Sequence, residues 1–148
     1  MELLAEHKIR ATRGAVYAAL NDPKILAECI PGCEALERTS DTELVATVAL
    51  KIGPVKAKFN GRVELSNLVP PESYTITGKG SGGAAGFASG TAKINLIEEA
   101  NETILKYEVS AEVGGKIAQL GSRLIESTAK NLSKKFFSKF CDIVDGKS

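Results

Sequence analysis

Few side chains in this sequence are of types that do chemistry, and their spacing limits what that chemistry can be. The only histidine, His7, has no carboxylate or nucleophile at a telling interval, which predicts a core or rim residue rather than a general base. Cys29 and Cys33 are separated by three residues in "CIPGC", and Cys141 lies far off. That spacing matches neither a redox pair nor a zinc knuckle, so the two are read as small buried hydrophobes flanking a turn. No catalytic residue and no metal ligand is assigned. Tyr74 and Tyr107 fall on apolar strand faces, where a phenol needs a hydrogen-bond partner and can offer its proton to an acceptor. Tyr107 is the stronger candidate. Arg123 can meet an acidic ligand or partner, or stand solvated.

The stretch "GKGSGGAAGFASGTA", residues 78 to 92, holds six glycines and four alanines. Gly78, Gly80 and Gly83 satisfy G-x-G-x-x-G, and Glu98 stands twenty residues beyond Gly78. A dinucleotide site needs a helix opening directly after the glycines, so that its amides face a pyrophosphate. Strand-like residues follow here instead. Lys79 precedes Gly80 rather than Ser or Thr, so a phosphate-gripping lysine motif fails as well.

The elements that must position these residues follow from hydrophobic period. Residues 2 to 10 alternate as a half-buried strand. "RGAVYAAL" and "DPKILAECI" read as two short helices, the second capped by Asp22 with Pro23 at its first position, and both end before Pro31 and Gly32. From 34 to 113 the period is two, giving about six antiparallel strands joined by turns such as Gly53–Pro54. Beyond Gly115 apolar residues recur at three and four: Ile117, Leu120, Leu124, Thr128, Leu132, Phe136 and Phe140. This predicts one helix from about 116 to 143, closing a strongly curved sheet of about seven strands in an α+β fold.

Glycines inside strands mark bends, bulges or close approaches, all of which suit a sheet curling round a helix. They also remove side chains, and Ala5, Ala46, Ala57, Gly61 and Ala111 are small inward positions too. Two outcomes stay open: the helix moves in and packs the interior solid, or a cavity remains that takes something apolar.

Length and composition bound the rest. The 148 residues, 43% hydrophobic and 25% charged, fit one domain spanning 1–148. Nineteen basic against eighteen acidic residues give no field for nucleic acid. No secretion signal or apolar span is recognised, and an odd cysteine count suits a reducing cytoplasm.

"AECIPGCEAL", "GKGSGGAAGFASGTA" and "AEVGGKIAQLGSRLIES", in this order, resemble the carbon monoxide dehydrogenase CoxG family of the START-like, polyketide-cyclase-like (SRPBCC) superfamily. The resemblance runs through nearly the whole chain. It implies the helix-grip fold and a noncatalytic accessory role beside a molybdenum hydroxylase of the carbon monoxide dehydrogenase type, helping that enzyme meet the membrane and its quinone pool. It further implies a hydrophobic pocket for a quinone or similar lipid, with no other cofactor. Many members continue into an apolar carboxyl-terminal segment where this sequence stops at "VDGKS", so such an anchor is not expected, and carriage in solution needs none.

A pocket between sheet and helix should be lined by Phe59, Tyr74, Phe87, Tyr107, Leu120 and Leu124, from strand parity and helix face, with Ile30 and Pro31 at its mouth. The lysines from 130 to 139 suit the wet face of the helix, or peripheral contact with anionic lipid. Besides a carrier, the residues leave open a cyclase or hydratase acting on an aromatic substrate in the same cavity, and a structural adaptor with a packed interior.

Overall fold

The computed structural model describes residues 1–147. The first strand, β1 (Glu2–Ile9), alternates in exposure along its length and ends at the fully buried Ile9. Thr12 then caps α1 (Arg13–Leu20), its hydroxyl accepting from Ala15 N at 3.4 Å. Asp22 Oδ1 accepts from Lys24 N at 3.0 Å to open α2 (Pro23–Cys29) directly at its proline. Gly32 turns the chain with φ +76°, and a Cβ there would stand 2.0 Å from Ala49 O. Only glycine permits that approach.

Six strands follow: β2 (Cys33–Ser40), β3 (Glu43–Ile52), β4 (Val55–Val69), β5 (Ser73–Ser81), β6 (Phe87–Glu99) and β7 (Glu102–Gly114). They form one antiparallel sheet in the order β1-β7-β6-β5-β4-β3-β2, a meander whose last strand returns to pair with the first. The closing helix α3 (Ser122–Val144) lies against it, and α2 packs on both β2 and α3. This is the antiparallel sheet gripping a long helix that the periodicity predicts, and the helix-grip fold that the family resemblance implies.

The long helix starts later than its apolar spacing suggests. Residues Gly115–Leu120 form a 3-10 segment, and Gly121, at φ +94°, separates it from α3. A residue with a Cβ is strongly disfavoured in that region, so the helical phase restarts at Ser122. Likewise β5 continues through Ser81, and the reversal into β6 is a 3-10 turn at Gly83–Ala85.

Two separate apolar clusters hold the layers together. The larger joins β1, α1, β7 and the carboxyl-terminal half of α3 through Ile9, Val16, Leu105, Phe140 and Val144. There Thr103, wholly buried on β7, donates to Ala11 O at 2.8 Å. The smaller lies at the other end of α3, where Val55, Ala85 and Ile117 are buried and Ile52, Ala57, Phe59, Val113 and Leu120 pack on them.

Candidate functional site: an apolar cavity between sheet and helix

Strand register shows where side-chain bulk is missing. On the face toward α3, Ala46, Gly61, Gly80 and Ala88 are successive cross-strand partners, and so are Val63, Gly78, Gly90 and Ala111. A Cβ built on Gly61, Gly78 or Gly80 would meet only strand atoms within 4 Å, and nothing from α3. The helix has not descended onto these rows. The neighbouring rows, Leu65–Ile76–Ala92–Val109–Leu3 and Tyr74–Ile94–Tyr107–Ala5, carry larger side chains toward the same space.

Between these rows and the helices lies a cavity of about 480 Å³. Its strand wall includes Leu44, Ala46, Val63, Ile76, Ala92 and Val109; α3 contributes Ala129, Leu132, Ser133, Phe136 and Phe137. Leu20, Leu26 and Ile30 close it from the α1–α2 side. The polar side chains among its described walls are Asn21, Tyr74, Tyr107 and Ser133. Asn21 Nδ2 is engaged, donating to Tyr17 O at 2.9 Å, and the backbone carbonyl of Asn21 accepts from Arg38. Tyr107 Oη and Ser133 Oγ are hydrogen-bonded to each other across the cavity. Tyr74 is 4% exposed, and burial, reinforced by the neighbouring Tyr17 phenol, holds its own phenol well above the ordinary value.

His7 is half-buried behind this wall. Its ring stacks on Phe137 at 4.1 Å and lies 5.8 Å from that of Tyr107. Burial pushes its pKa below the ordinary value, and its Nε2 has no hydrogen-bond partner among the described residues. It sits outside the cavity lining as a packed aromatic. Cys29, 2% exposed, has its thiol pushed up to about 11 by desolvation and the nearby Glu28, so it is a poor nucleophile at neutral pH.

Of the residues expected to form the pocket, the structure brings Ile30, Tyr74 and Tyr107 to it. Pro31 follows Ile30 but is absent from the lining. Phe59 and Leu120 belong to the smaller cluster, where Phe59 covers Gly82, and Leu124 packs on Gly53 at the β3–β4 tip. Phe87 is the clear correction. It is 55% exposed on the opposite face, its ring over Gly114, at the rim of an open hollow of about 830 Å³ with Arg62 and Lys79. The alternation of β6, in which Ala88, Gly90, Ala92 and Ile94 face inward, puts Phe87 outward. Arg123 and the lysines 130, 134, 135 and 139 are exposed, and Lys130 pairs with Glu126 at 3.1 Å. Spacing counted from residue 117 missed Ala129, Ser133 and Phe137; counted from Ser122, all three share a face.

A curved antiparallel sheet gripping a long helix over an apolar cavity defines a helix-grip protein, and comparison with known proteins places the chain within that class. The profile of the family described as the CoxG subunit of carbon monoxide dehydrogenase matches residues 6–144, and the chain belongs to that family. A crystal structure of a conserved protein from Geobacillus kaustophilus is similar at 33% identity and TM-score 0.92, covering 97% of this chain and 95% of that one. The Zhui aromatase/cyclase from Streptomyces sp. R1128 shares the fold at 13% identity and TM-score 0.67, over 97% and 93% of the two chains. Ara h 8.0201 does so at 14% identity and TM-score 0.66, over 97% of each. No protein of curated function matches the sequence. No described helix is long and apolar enough to cross a membrane.

Proposed function

We propose that this protein is a noncatalytic carrier that takes one hydrophobic small molecule, a quinone or similar lipid, into the sheet–helix cavity and serves a molybdenum hydroxylase of the carbon monoxide dehydrogenase type. The supporting observation is the cavity itself. At about 480 Å³ it falls within the size range of small-molecule pockets. Such a space holds water or a ligand, and walls made almost wholly of Leu, Ile, Val, Ala and Phe side chains favour an apolar ligand.

Holding rather than converting fits the chemistry of the walls. Proton transfer needs a positioned acid or base, and the described lining carries hydroxyls and one engaged amide, with no carboxylate or imidazole. Family membership supports the accessory role and the dehydrogenase partner. The exposed lysines of α3 suit peripheral contact with an anionic surface while the opposite face of the same helix lines the cavity.

Native mass spectrometry of protein purified from its own host tests the reading. The expected result is a retained mass of lipid or quinone size and co-elution with the hydroxylase. A cavity that stays unliganded in the presence of quinones and lipids refutes it.

A further inference from the structure

Tyr107 and Ser133 meet across a space whose other walls are almost entirely apolar. Their bond is a polar bridge between the sheet and α3, and it occupies hydroxyls that a ligand would otherwise find free. A buried hydroxyl is costly to strand, so it changes partner only where both groups remain satisfied afterwards. Ser133 has an alternative: a helical serine can bond the carbonyl four residues back, here that of Ala129. The same helix already shows this geometry one turn earlier, where Thr128 Oγ1 donates to Leu124 O at 2.8 Å. Tyr107 projects from a strand whose backbone groups are engaged in the sheet, so its alternative partner must come from the cavity.

We propose that the Tyr107–Ser133 bond is an exchangeable latch that selects ligands by their polar end. In the unliganded protein Tyr107 is paired with Ser133. A ligand carrying a neutral hydrogen-bond acceptor, such as a ring carbonyl, accepts the Tyr107 proton while Ser133 turns to its own helix. A pure hydrocarbon leaves the latch shut. An ionised carboxylate is disfavoured, because no cationic side chain lines the described walls and the ammonium of Met1, a wall residue, already donates to Ala111 O at 2.8 Å. The cavity thus takes neutral, acceptor-bearing apolar molecules. Asn21 is a weaker head-group partner because its amide is already engaged.

This inference rests on the carrier reading, and one matched pair of ligands separates the two. Dissociation constants of 2,3-dimethyl-1,4-naphthoquinone and 2,3-dimethylnaphthalene are measured on the full chain by displacement of N-phenyl-1-naphthylamine; the substituted quinone ring resists thiol addition. Tyr107→Phe should weaken the quinone roughly two- to tenfold and leave the hydrocarbon unchanged, as expected for one exchanged hydrogen bond. Ser133→Ala should act in the opposite direction, tightening the quinone by a similar factor, because Tyr107 then has no competing partner. It should also lower the Tm of the unliganded protein and let the quinone restore it. Both variants weakening both ligands equally overturns the latch, and so does loss of the quinone preference in Tyr74→Phe instead. Failure of both ligands to bind the unaltered protein refutes the carrier reading, and the latch falls with it.

Discussion

Ala129→Leu decides by its sign whether the space under α3 is available volume. Ala129 points into the cavity from the middle of α3, opposite the small inward rows of the sheet. Leucine adds three carbons and is nearly as good a helix former as alanine, so backbone propensity changes little. At about 0.8 kcal/mol per buried carbon the upper bound is about 2.4 kcal/mol of added stability. Residual exposure of the site and burial already present in the denatured chain reduce this to about 1–2 kcal/mol. For a chain of this length that is a rise in Tm of about 3–6 °C. In a closely packed interior the same substitution forces side chains off their rotamers and costs about 1–3 kcal/mol, lowering Tm. Differential scanning calorimetry gives the sign, and displacement of an apolar fluorescent probe gives the loading. The expected variant is more stable and binds less. A fall in Tm with probe binding intact would refute the reasoning at its root.

Further substitutions check separate parts of the structure. His7 is the single histidine and its folded pKa lies below the ordinary 6.5, so the unfolded chain takes up the proton first. Stability is therefore lost as pH falls from 6.5 toward the lowered folded value. In His7→Phe that loss over pH 5 to 7 should vanish in Tm measurements, and an unchanged slope removes His7 as its cause. Gly86, at φ +120°, would bring a Cβ within 2.2 Å of Gly114 O, whereas Gly83, at φ +60°, has open space around it. Gly83→Ala should cost about 1–2 kcal/mol from backbone conformation alone, and Gly86→Ala distinctly more; equal urea midpoints contradict the close approach. Thr103→Val should cost about 1–3 kcal/mol by orphaning the Ala11 carbonyl, read as a lower urea midpoint at constant m. Phe87→Ser should leave probe binding unchanged, and weaker binding would return that ring to the pocket.

Much of the fold was legible because each element obeys one period throughout. Strand alternation, the Asp22–Pro23 cap and the turn at Gly53 all place their residues as expected from the sequence. Small inward positions were legible for the same reason, since strand parity assigns Gly61, Gly78 and Gly80 to one face together. The cavity lining was only partly readable because one local break shifts the helical phase and one strand begins with mostly small residues that hide its parity. Gly121 restarts the helix, so Ile117 and Leu120 precede it in the smaller cluster, Leu124 packs on Gly53, and Ser133 and Phe137 face the cavity. Phe87 faces outward by the alternation of its own strand, in which Ala92, Ile94 and Leu96 face the core and the small residues between give no signal. The helical break depends on positive φ at Gly121, which composition permits but does not require at any one of fourteen positions.

Missing side chains alone do not leave a cavity, because an unconstrained helix would settle onto the glycines and recover the contacts. Here α3 is held at both ends. Its carboxyl-terminal half is fixed by Phe137, Phe140 and Val144 in the larger cluster, and its start by Leu124 against the β3–β4 tip, next to the smaller cluster at Ile117. Lowering its middle onto Gly61, Gly78 and Gly80 would pull one of these clusters apart, and burial of a single phenylalanine is worth about 1.5–3 kcal/mol. Curvature cannot substitute, since helices bend only gently without a proline or an inserted group. The glycine rows and the two flanking clusters therefore act together: the first removes the filling, and the second stops the helix from replacing it. Loosening one end should consequently close the space rather than enlarge it, so Leu124→Ala is expected to weaken apolar-probe binding although that side chain lies outside the lining. Unchanged probe affinity in Leu124→Ala would show that the cavity persists without this support.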